Sequence, residues 1–478
     1  MTRKEFLALV TAGTAAQSLA GESPAPAAAS VSGFSLKRFP LALQPVLPGP
    51  AYLMAGPMLG HVGPSEARVW IRATAPVPWN VRVSESPALE NAREVNGPAL
   101  SEDSACTGIA IVDGLAPSTR YYYRILLEGR PQNVAPFPFF TTAPAIGSKS
   151  RQRIAFGSCV GDMPADCAAA WGELSARRDM GFAGGGFDLF LMLGDNHYGN
   201  TTEIPKLRTY YTAHRLTTGW REMSSHRPIY AIWDDHDYGP NNSDGTQEGK
   251  GDSLKVFREF WANPGCGEPD NPGCYFTFQR GDVQFFMLDG RYHRSPDGAK
   301  DGPDKTMFGT AQIAWLKREL LASKASVKLL ANGSEWQSFG SVDSYSKYRT
   351  ERDALLKWIE QEKIQGVILL SGDRHFCSGY HVLGRFVELV SSPLGSRNAL
   401  LTPNVERFTG HDEGSLWMIL DIDTSGAEPV ISYEICQAGG GIIERRYLTW
   451  DQLHGRAGIE PSSMPLHSPR RPFAIMRK

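Results

Sequence analysis

Net charge, cysteine and long apolar runs are all scarce in this 478-residue chain. Its 49 basic and 51 acidic residues leave a formal charge of −2, so the basic excess that marks a nucleic-acid-binding surface is missing. An anionic substrate would then have to draw positive charge from metal ions. Beyond the first twenty residues no segment approaches about 18 uninterrupted apolar residues, which speaks against a stable membrane anchor. No internal repeat is present. The seven cysteines stand at 106, 159, 167, 266, 274, 377 and 436, and their odd number leaves one unpaired. In an oxidising compartment Cys266 and Cys274, enclosed by the Pro- and Gly-rich stretch NPGCGEPDNPGC, are expected to form a local disulfide.

What is present suits folded domains: 41% of residues are hydrophobic and 21% charged. The length exceeds what one core usually supports, so two domains are expected. Residues 1–20 read as an export signal, with Arg3 and Lys4 before the apolar run Phe6 to Ala16 and small residues at Ser18 and Ala20 for cleavage. The order Thr2 to Leu7 resembles a twin-arginine signal with Lys4 in place of the second arginine. The expected partner is therefore export machinery, and the destination is the periplasm or the exterior. Residues 21–50, rich in Ala, Pro and Ser, read as a flexible lead-in, and 451–478 as a C-terminal tail.

Between these ends the hydrophobic period changes once. Over 51–142 short alternating runs such as Ala67 to Arg72, Asn80 to Val83 and Tyr121 to Ile125 are separated by Gly, Pro and Ser, the pattern of a small antiparallel sandwich. The phrase Gly114 to Tyr122 resembles the turn of fibronectin type III modules, in which tyrosines pack the sandwich. Over 150–450 continuous apolar runs end in polar clusters: Ile154 to Phe156, Phe187 to Leu193, Pro228 to Trp233 and Val367 to Leu370. Such runs read as buried strands of an α/β sheet, with helices expected over Ala311 to Leu321 and Arg349 to Lys363.

Polar residues at the carboxyl ends of such strands are where ligands bind. Four of these ends carry Cys159, Asp195 with Tyr198, Asp235 with His236 and Asp237, and Asp373 with His375. Alone, each has a structural explanation, such as a core thiol or a helix cap. Together they aim several ligands into one crevice.

The words that carry these residues are GSC at 157–159, GDNHY at 194–198, WDDHD at 233–237, LDGR at 288–291, GTAQIAWL at 309–316 and GDRH at 372–375. In order and spacing they resemble the alkaline phosphatase D (PhoD-like) branch of the calcineurin-like metallophosphoesterases. The resemblance implies a fibronectin-III-like β-sandwich followed by a four-layer α/β/β/α catalytic domain. It also implies that Cys159 replaces the Asp-x-His pair which opens the wider superfamily, and that Asp234-Asp235-His236-Asp237 and Gly372-Asp373-Arg374-His375 stand for Gly-Asn-His-Asp and Gly-His-x-His.

Ligand chemistry then suggests the metals. Cys159, Asp195, Tyr198 and His375 are strong donors that suit Fe(III), as the resemblance also implies. The bridging Asp195 with Asp235 and Asp373 forms an oxygen-only set that favours Ca, or else Mg or Mn. Asn332 and Glu335 could complete that shell or lie in a surface loop. The expected reaction is hydrolysis of phosphate monoesters or diesters, in a small molecule or a polymer, by a metal-bound hydroxide in a two-metal site. His236 would protonate the leaving group and Asp237 would orient it. Arg291 would clamp phosphate or pair with Asp289 at the surface, and Arg374 would clamp from the other side. The polar loop Gly239 to Ser253 is expected to be mobile over the cleft. A catalytically silent, metal-stabilised binding protein and an iron redox enzyme using Cys159 and Tyr198 are the competing readings.

Overall fold

The computed structural model describes residues 49–177 and 185–454. The expected export signal, almost all of the lead-in and most of the C-terminal tail lie outside the described residues.

Alternation of period two builds the first region. In β2 (Ala67–Ala73) and β6 (Arg120–Leu127) every second side chain, including Val69, Ile71, Tyr121, Tyr123 and Ile125, enters one apolar core. β2 lies between β1 (Leu53–Val62) and β5 (Thr107–Val112) in an antiparallel sheet. The facing sheet runs β4 (Arg93–Asn96), β3 (Trp79–Ser84), β6 and β7 (Arg130–Pro131), with β8 (Phe139–Thr141) paired to the other part of β6. The Tyr121 hydroxyl accepts the Ala116 N–H at 3.0 Å, tying the turn of the Gly114 to Tyr122 phrase.

Two larger sheets follow. One has the order β11 (Ile229–Ile232), β10 (Leu189–Leu193), β9 (Arg151–Gly157), β19 (Leu416–Asp423), β20 (Val430–Gln437) and β21 (Gly441–Leu448). The other runs β12 (Phe276–Arg280), β13 (Val283–Met287), β14 (Val327–Ala331), β15 (Val367–Ser371), β17 (Phe386–Val390), β16 (Cys377–Val382) and β18 (Arg407–His411). Strands β9 to β11 are mutually parallel, as are β13, β14, β15 and β17, so their carboxyl ends share an edge.

The pleat divides the apolar residues of the second sheet between two cores. Phe285, Met287, Leu329, Ile368 and Leu370 face the first sheet, meeting Ile154, Phe156, Leu191 and Met418. Phe286, Leu330, Val367 and Leu369 point the other way, onto helices Thr310–Ala322 and Arg349–Gln361. Helices Ala168–Ala176, Ile204–Arg215 and Thr218–Ser224 cover the outer face of the first sheet through Trp171, Leu174, Leu207 and Trp220. The result is a helix, sheet, sheet, helix stack beside a β-sandwich, the fold class expected from the sequence.

The sandwich is locked against the stack. Buried Trp70 donates its indole N–H to the Glu259 carbonyl at 2.8 Å and packs on Phe260, with Arg215 lying over its ring. Tyr123 reaches the Ser225 carbonyl at 2.8 Å. Gly60 abuts Ala262 so closely that no Cβ fits.

All seven cysteines are free thiols, which corrects the expected Cys266–Cys274 disulfide. Cys274 is enclosed in the core with its backbone N–H held by Asp289, while Cys266 is half-buried and uses its carbonyl to accept from Arg258.

Trp70→Ala should lower the free energy of unfolding by about 3–5 kcal/mol, through lost burial and the cavity left behind. Guanidinium unfolding of the purified protein reads this. A change below about 1 kcal/mol would mean that the sandwich and the stack do not support one another.

Candidate metal centre

The site residues project from turns that follow buried parallel strands. Cys159 comes two residues after β9, Asp195 two after β10, Asp235 three after β11 and Asp373 two after β15. Cys159, Asp195, Asp373 and His375 all adopt left-handed φ values, of 60°, 51°, 65° and 57°. An L-residue gives up roughly 1–2 kcal/mol there, and such strain gathers where the surrounding fold fixes a functional side chain. Two glycines make the turns possible. Gly194 has φ of 94°, and a Cβ on it would lie 2.5 Å from the Asp234 Cβ. A Cβ on Gly372 would come within 2.6 Å of Ser158 Cβ and 2.9 Å of the Leu193 carbonyl, so the strand ends of the two sheets could not meet.

Asp195 is the centre of the arrangement. Its Oδ2 is 3.4 Å from the Cys159 thiol and accepts from the Tyr198 hydroxyl at 3.1 Å. That hydroxyl is also 3.1 Å from His375 Nε2 and accepts from Ser396 Oγ at 2.8 Å. Donor atoms of Cys159, Asp195 and His375 lie within 4.8 Å of one another, and so do those of Asp195, Asp235 and His236. The structure thus brings together Cys159, Asp195, Tyr198 and His375, and places Asp235 and His236 on the other side of the shared Asp195.

The electrostatics ask for cations. Asp195 Oδ1 and Asp373 Oδ2 are buried with no hydrogen-bond partner among the described residues. Burial, then repulsion from Asp235, Asp234, Asp237 and Asp373, pushes the Asp195 carboxyl well above its usual range. Burial and neighbouring acids do the same to Asp373, and burial with Asp195 and Asp373 raises the Cys159 thiol. Tyr198 is raised by burial and by Asp195. Such a set of thiol, phenol, imidazole and unpartnered carboxylates fits metal ions, which would offset the repulsion.

His236 stands beside this cluster, stacked on Tyr198 with ring centroids 4.2 Å apart. Its Nδ1 pairs with Asn200 Oδ1 at 2.6 Å. Asp237, expected to orient it, does not. The short helix Asp235–Tyr238 turns the Asp237 carboxylate back to the strand end, where it accepts from the Asp234, Asp195 and Asn196 N–H groups at 2.8, 3.2 and 3.3 Å. Burial pushes its pKa up to about 8 despite those bonds.

Arg291 needs a second correction. Its guanidinium is fully enclosed, bonded to Asp234 at 2.5 Å, Asp343 at 3.0 Å, Ser334 Oγ at 3.3 Å and the Ser243 carbonyl at 3.3 Å. No face remains for a phosphate, and the pairing with Asp289 is through the backbone N–H alone, at 2.9 Å. Asp289 is itself a buried hub that also accepts from Trp233 Nε1 and from the Cys274 and Tyr292 N–H groups. Arg374, by contrast, keeps 29% of its side chain exposed and pairs with Glu335 at 3.1 Å and Asp373 at 3.9 Å.

Neither Asn332 nor Glu335 lies in a surface loop, since both are fully buried. Among the described residues Asn332 Oδ1 has no hydrogen-bond partner, whereas Glu335 is occupied by Ser341, Gln337 and Arg374. The loop Gly239 to Ser253 is also anchored: Asn242 N–H donates to Asp235 at 2.8 Å, Gly245 N–H to the Arg294 carbonyl at 2.7 Å and Tyr238 to the Asp244 carbonyl at 3.0 Å. Asn200, Asp343 and Ser396 were not singled out from the sequence, where only the position of Asn200, just past GDNHY, gave any signal.

Removing Arg291 should leave buried acids unpaired. Arg291→Met is therefore expected to destabilise the fold by about 3–5 kcal/mol. Thermal unfolding with a parallel KM measurement tests it, because wild-type stability with a raised KM would restore the role of phosphate clamp.

A family model described as PhoD-like phosphatase matches residues 182–415, and one described as a domain of unknown function (DUF7800) matches residues 50–144. Alkaline phosphatase D of Bacillus subtilis (strain 168) is 26% identical over 363 residues, 65% of this chain, and the chain spans 60% of that relative's length. A solved structure of PhoD superposes with a TM-score of 0.67 at 18% identity, covering 85% of this chain and 93% of its own. A purple acid phosphatase from yellow lupin (Lupinus luteus) seeds gives 0.61 at 13% identity, covering 82% and 74%. With the strand-end words and their geometry in agreement with the matched model, residues 182–415 belong to the PhoD-like phosphatase family.

Proposed function

We propose that this chain is an exported phosphoesterase that hydrolyses phosphate monoesters or diesters in a two-metal site. The observation that carries the reading is the donor triad of Cys159, Asp195 and His375, together with the buried, unpartnered oxygens of Asp195 and Asp373 beside it. Cys159, Asp195, Tyr198 and His375 would hold Fe(III), for which thiolate and phenolate are apt donors. Asp195, Asp235 and Asp373 would hold Ca, or Mg or Mn, with the unpartnered Asn332 Oδ1 as a further oxygen. When bound, the ions would neutralise phosphoryl oxygens and activate a water for in-line attack.

The chain's own residues do the rest. Asn200 Oδ1 fixes the His236 ring by accepting from Nδ1–H, so the doubly protonated imidazolium would carry its second proton on Nε2, give it to the leaving ester oxygen and become the neutral Nδ1–H ring. Stacking on Tyr198 keeps that ring beside the cluster. Arg374, held by Glu335 and partly exposed, is the cation positioned to grip a phosphoryl oxygen. Residues 51–142 would form the sandwich domain and 150–450 the catalytic domain. The leader over 1–20 supports export to the periplasm or the exterior, and among the described residues no helix is long and apolar enough to cross a membrane.

Three measurements test the reading. Asp195→Asn should lose most turnover of p-nitrophenyl phosphate and of its bis ester, together with metal at both positions, by elemental mass spectrometry. Full metal content and rate in that variant would end the shared-carboxylate scheme.

His236→Ala should keep its metals but slow turnover by about 100- to 10,000-fold, as expected for loss of a general acid. Steady-state rates on alkyl and p-nitrophenyl esters should show a smaller loss for the better leaving group. Equal losses would assign His236 to phosphate binding.

Fe(III) bound by Cys159 and Tyr198 would colour the protein through charge transfer in the visible range. Tyr198→Phe should shift or bleach that band without unfolding, read by absorption and circular dichroism. A colourless, iron-free enzyme of full activity would leave a divalent-metal hydrolase.

A further inference from the structure

A cavity of about 210 Å³ lies at the opposite edge of the first large sheet from the candidate metal centre. It opens where the sandwich, through Arg120, Phe139 and Thr141, faces the amino ends of β9 and β11 and the β12–β13 turn, which supply Arg151, Arg227 and Arg280. Among the described residues, four guanidinium groups, the imidazole of His226 and one carboxylate, Asp188, line it.

Two of these guanidinium groups meet no carboxylate among the described residues. Arg151 is held in a bidentate pair by Asp421, at 2.8 and 2.6 Å. Asp188 is occupied by the Arg153 N–H at 2.7 Å. Among the described residues, however, neither Arg120 nor Arg280 has an ion-pair partner. Arg120 is exposed and lies 4.4 Å over the Phe139 ring. Arg280 is only 3% exposed, and its Nε and Nη1 donate to neutral oxygens, Gln152 Oε1 at 3.3 Å and the Val62 carbonyl at 2.8 Å. A buried guanidinium beside a cavity, with neutral partners alone, leaves positive charge to be met by a ligand.

We propose that this cavity is a second anion site that takes a phosphate dianion, gripped by Arg120 and Arg280, and that occupancy ties the sandwich to the catalytic stack. Planar guanidiniums suit phosphate oxygens, because each can present two N–H donors at once. Arg280 already joins the two regions, since Val62 belongs to the sandwich and Gln152 to β9. An anion between Arg120 and Arg280 draws the same two regions together. Free phosphate would then stabilise the fold from a place remote from the chemistry.

Equilibrium dialysis of the metal-loaded full chain against radiolabelled inorganic phosphate, at fixed ionic strength, tests this with thermal melts in parallel. Asp195→Asn, which impairs the candidate metal centre, should still bind one phosphate per chain, and its Tm should rise with phosphate concentration. Arg120→Glu and Thr141→Glu alter exposed side chains, so both should fold and turn over p-nitrophenyl phosphate like the wild type. Both should weaken the remote binding by about tenfold or more and flatten the Tm response. The proposal is overturned if Asp195→Asn binds no phosphate, or if the two glutamate variants keep the wild-type affinity and Tm response. An absence of turnover in the wild type would count against the phosphoesterase reading and leave these binding results intact.

Discussion

The rest of the centre depends on how one crevice accommodates the buried acids Asp195, Asp234, Asp235, Asp237, Asp343 and Asp373. Like charges so close cannot all ionise unless something opposes them. Arg291 answers for one group. It bonds Asp234 and Asp343 and lies 3.9 Å from Asp235, and with the His236 charge and the Asn242 N–H it outweighs burial to hold Asp235 below the usual carboxylate range. Backbone amides answer for Asp237, whose carboxylate accepts from the Asp234, Asp195 and Asn196 N–H groups against the burial that raises its pKa. Asp195 has neither solution, and Asp373 has only the partly exposed Arg374 at 3.9 Å, which does not offset its burial. They are the groups whose repulsion bound metal ions would offset.

That division of labour explains which parts of the site could be read from the sequence. Strand ends were legible because a buried parallel strand appears as an apolar run and its functional turn as the polar cluster after it. Cys159, Asp195, Asp235 and Asp373 were found in this way, and Tyr198 and His375 followed from their spacing on the same turns. The helices over 310–322 and 349–361 were equally legible, since their apolar faces recur at helical spacing.

The direction of a side chain within a turn was not legible. Arg291 in LDGR could face solvent or core, and what decides is a pair of acids 57 and 52 positions away in the chain. Asp237 adjoins His236 in sequence, yet the one-turn helix sends the two side chains apart, and the histidine finds Asn200 from another loop. Composition misled in the loop Gly239 to Ser253, whose polar residues suggested mobility. Its backbone instead supplies partners to Asp235 and Arg294, so polarity there satisfies the crevice as well as solvent. In NPGCGEPDNPGC, closeness in sequence suggested a bond between two thiols that the fold uses separately.

The centre also straddles a seam. Cys159, Asp195, Tyr198, Asp235 and His236 hang from the first large sheet, while Asp373, His375 and Asn332 belong to the second. The triad of Cys159, Asp195 and His375 needs both sheets. The separation of the two is therefore a chemical variable, and it is set by the apolar contact of Ile154, Phe156 and Leu191 with Phe285, Leu329 and Leu370, and at the edge by the bare backbone of Gly372 against Ser158. Close-packed interiors resist such displacement, which is what allows turns with left-handed residues to be held in place. The sandwich adds support from outside, since Trp70 and Gly60 press on the segment Glu259 to Ala262, which leads from helix Lys250–Phe260 to Asn263, whose side chain holds Ala231 of β11 at both its N–H and its carbonyl. Packing far from the crevice thus fixes the strand whose end presents Asp235 and His236.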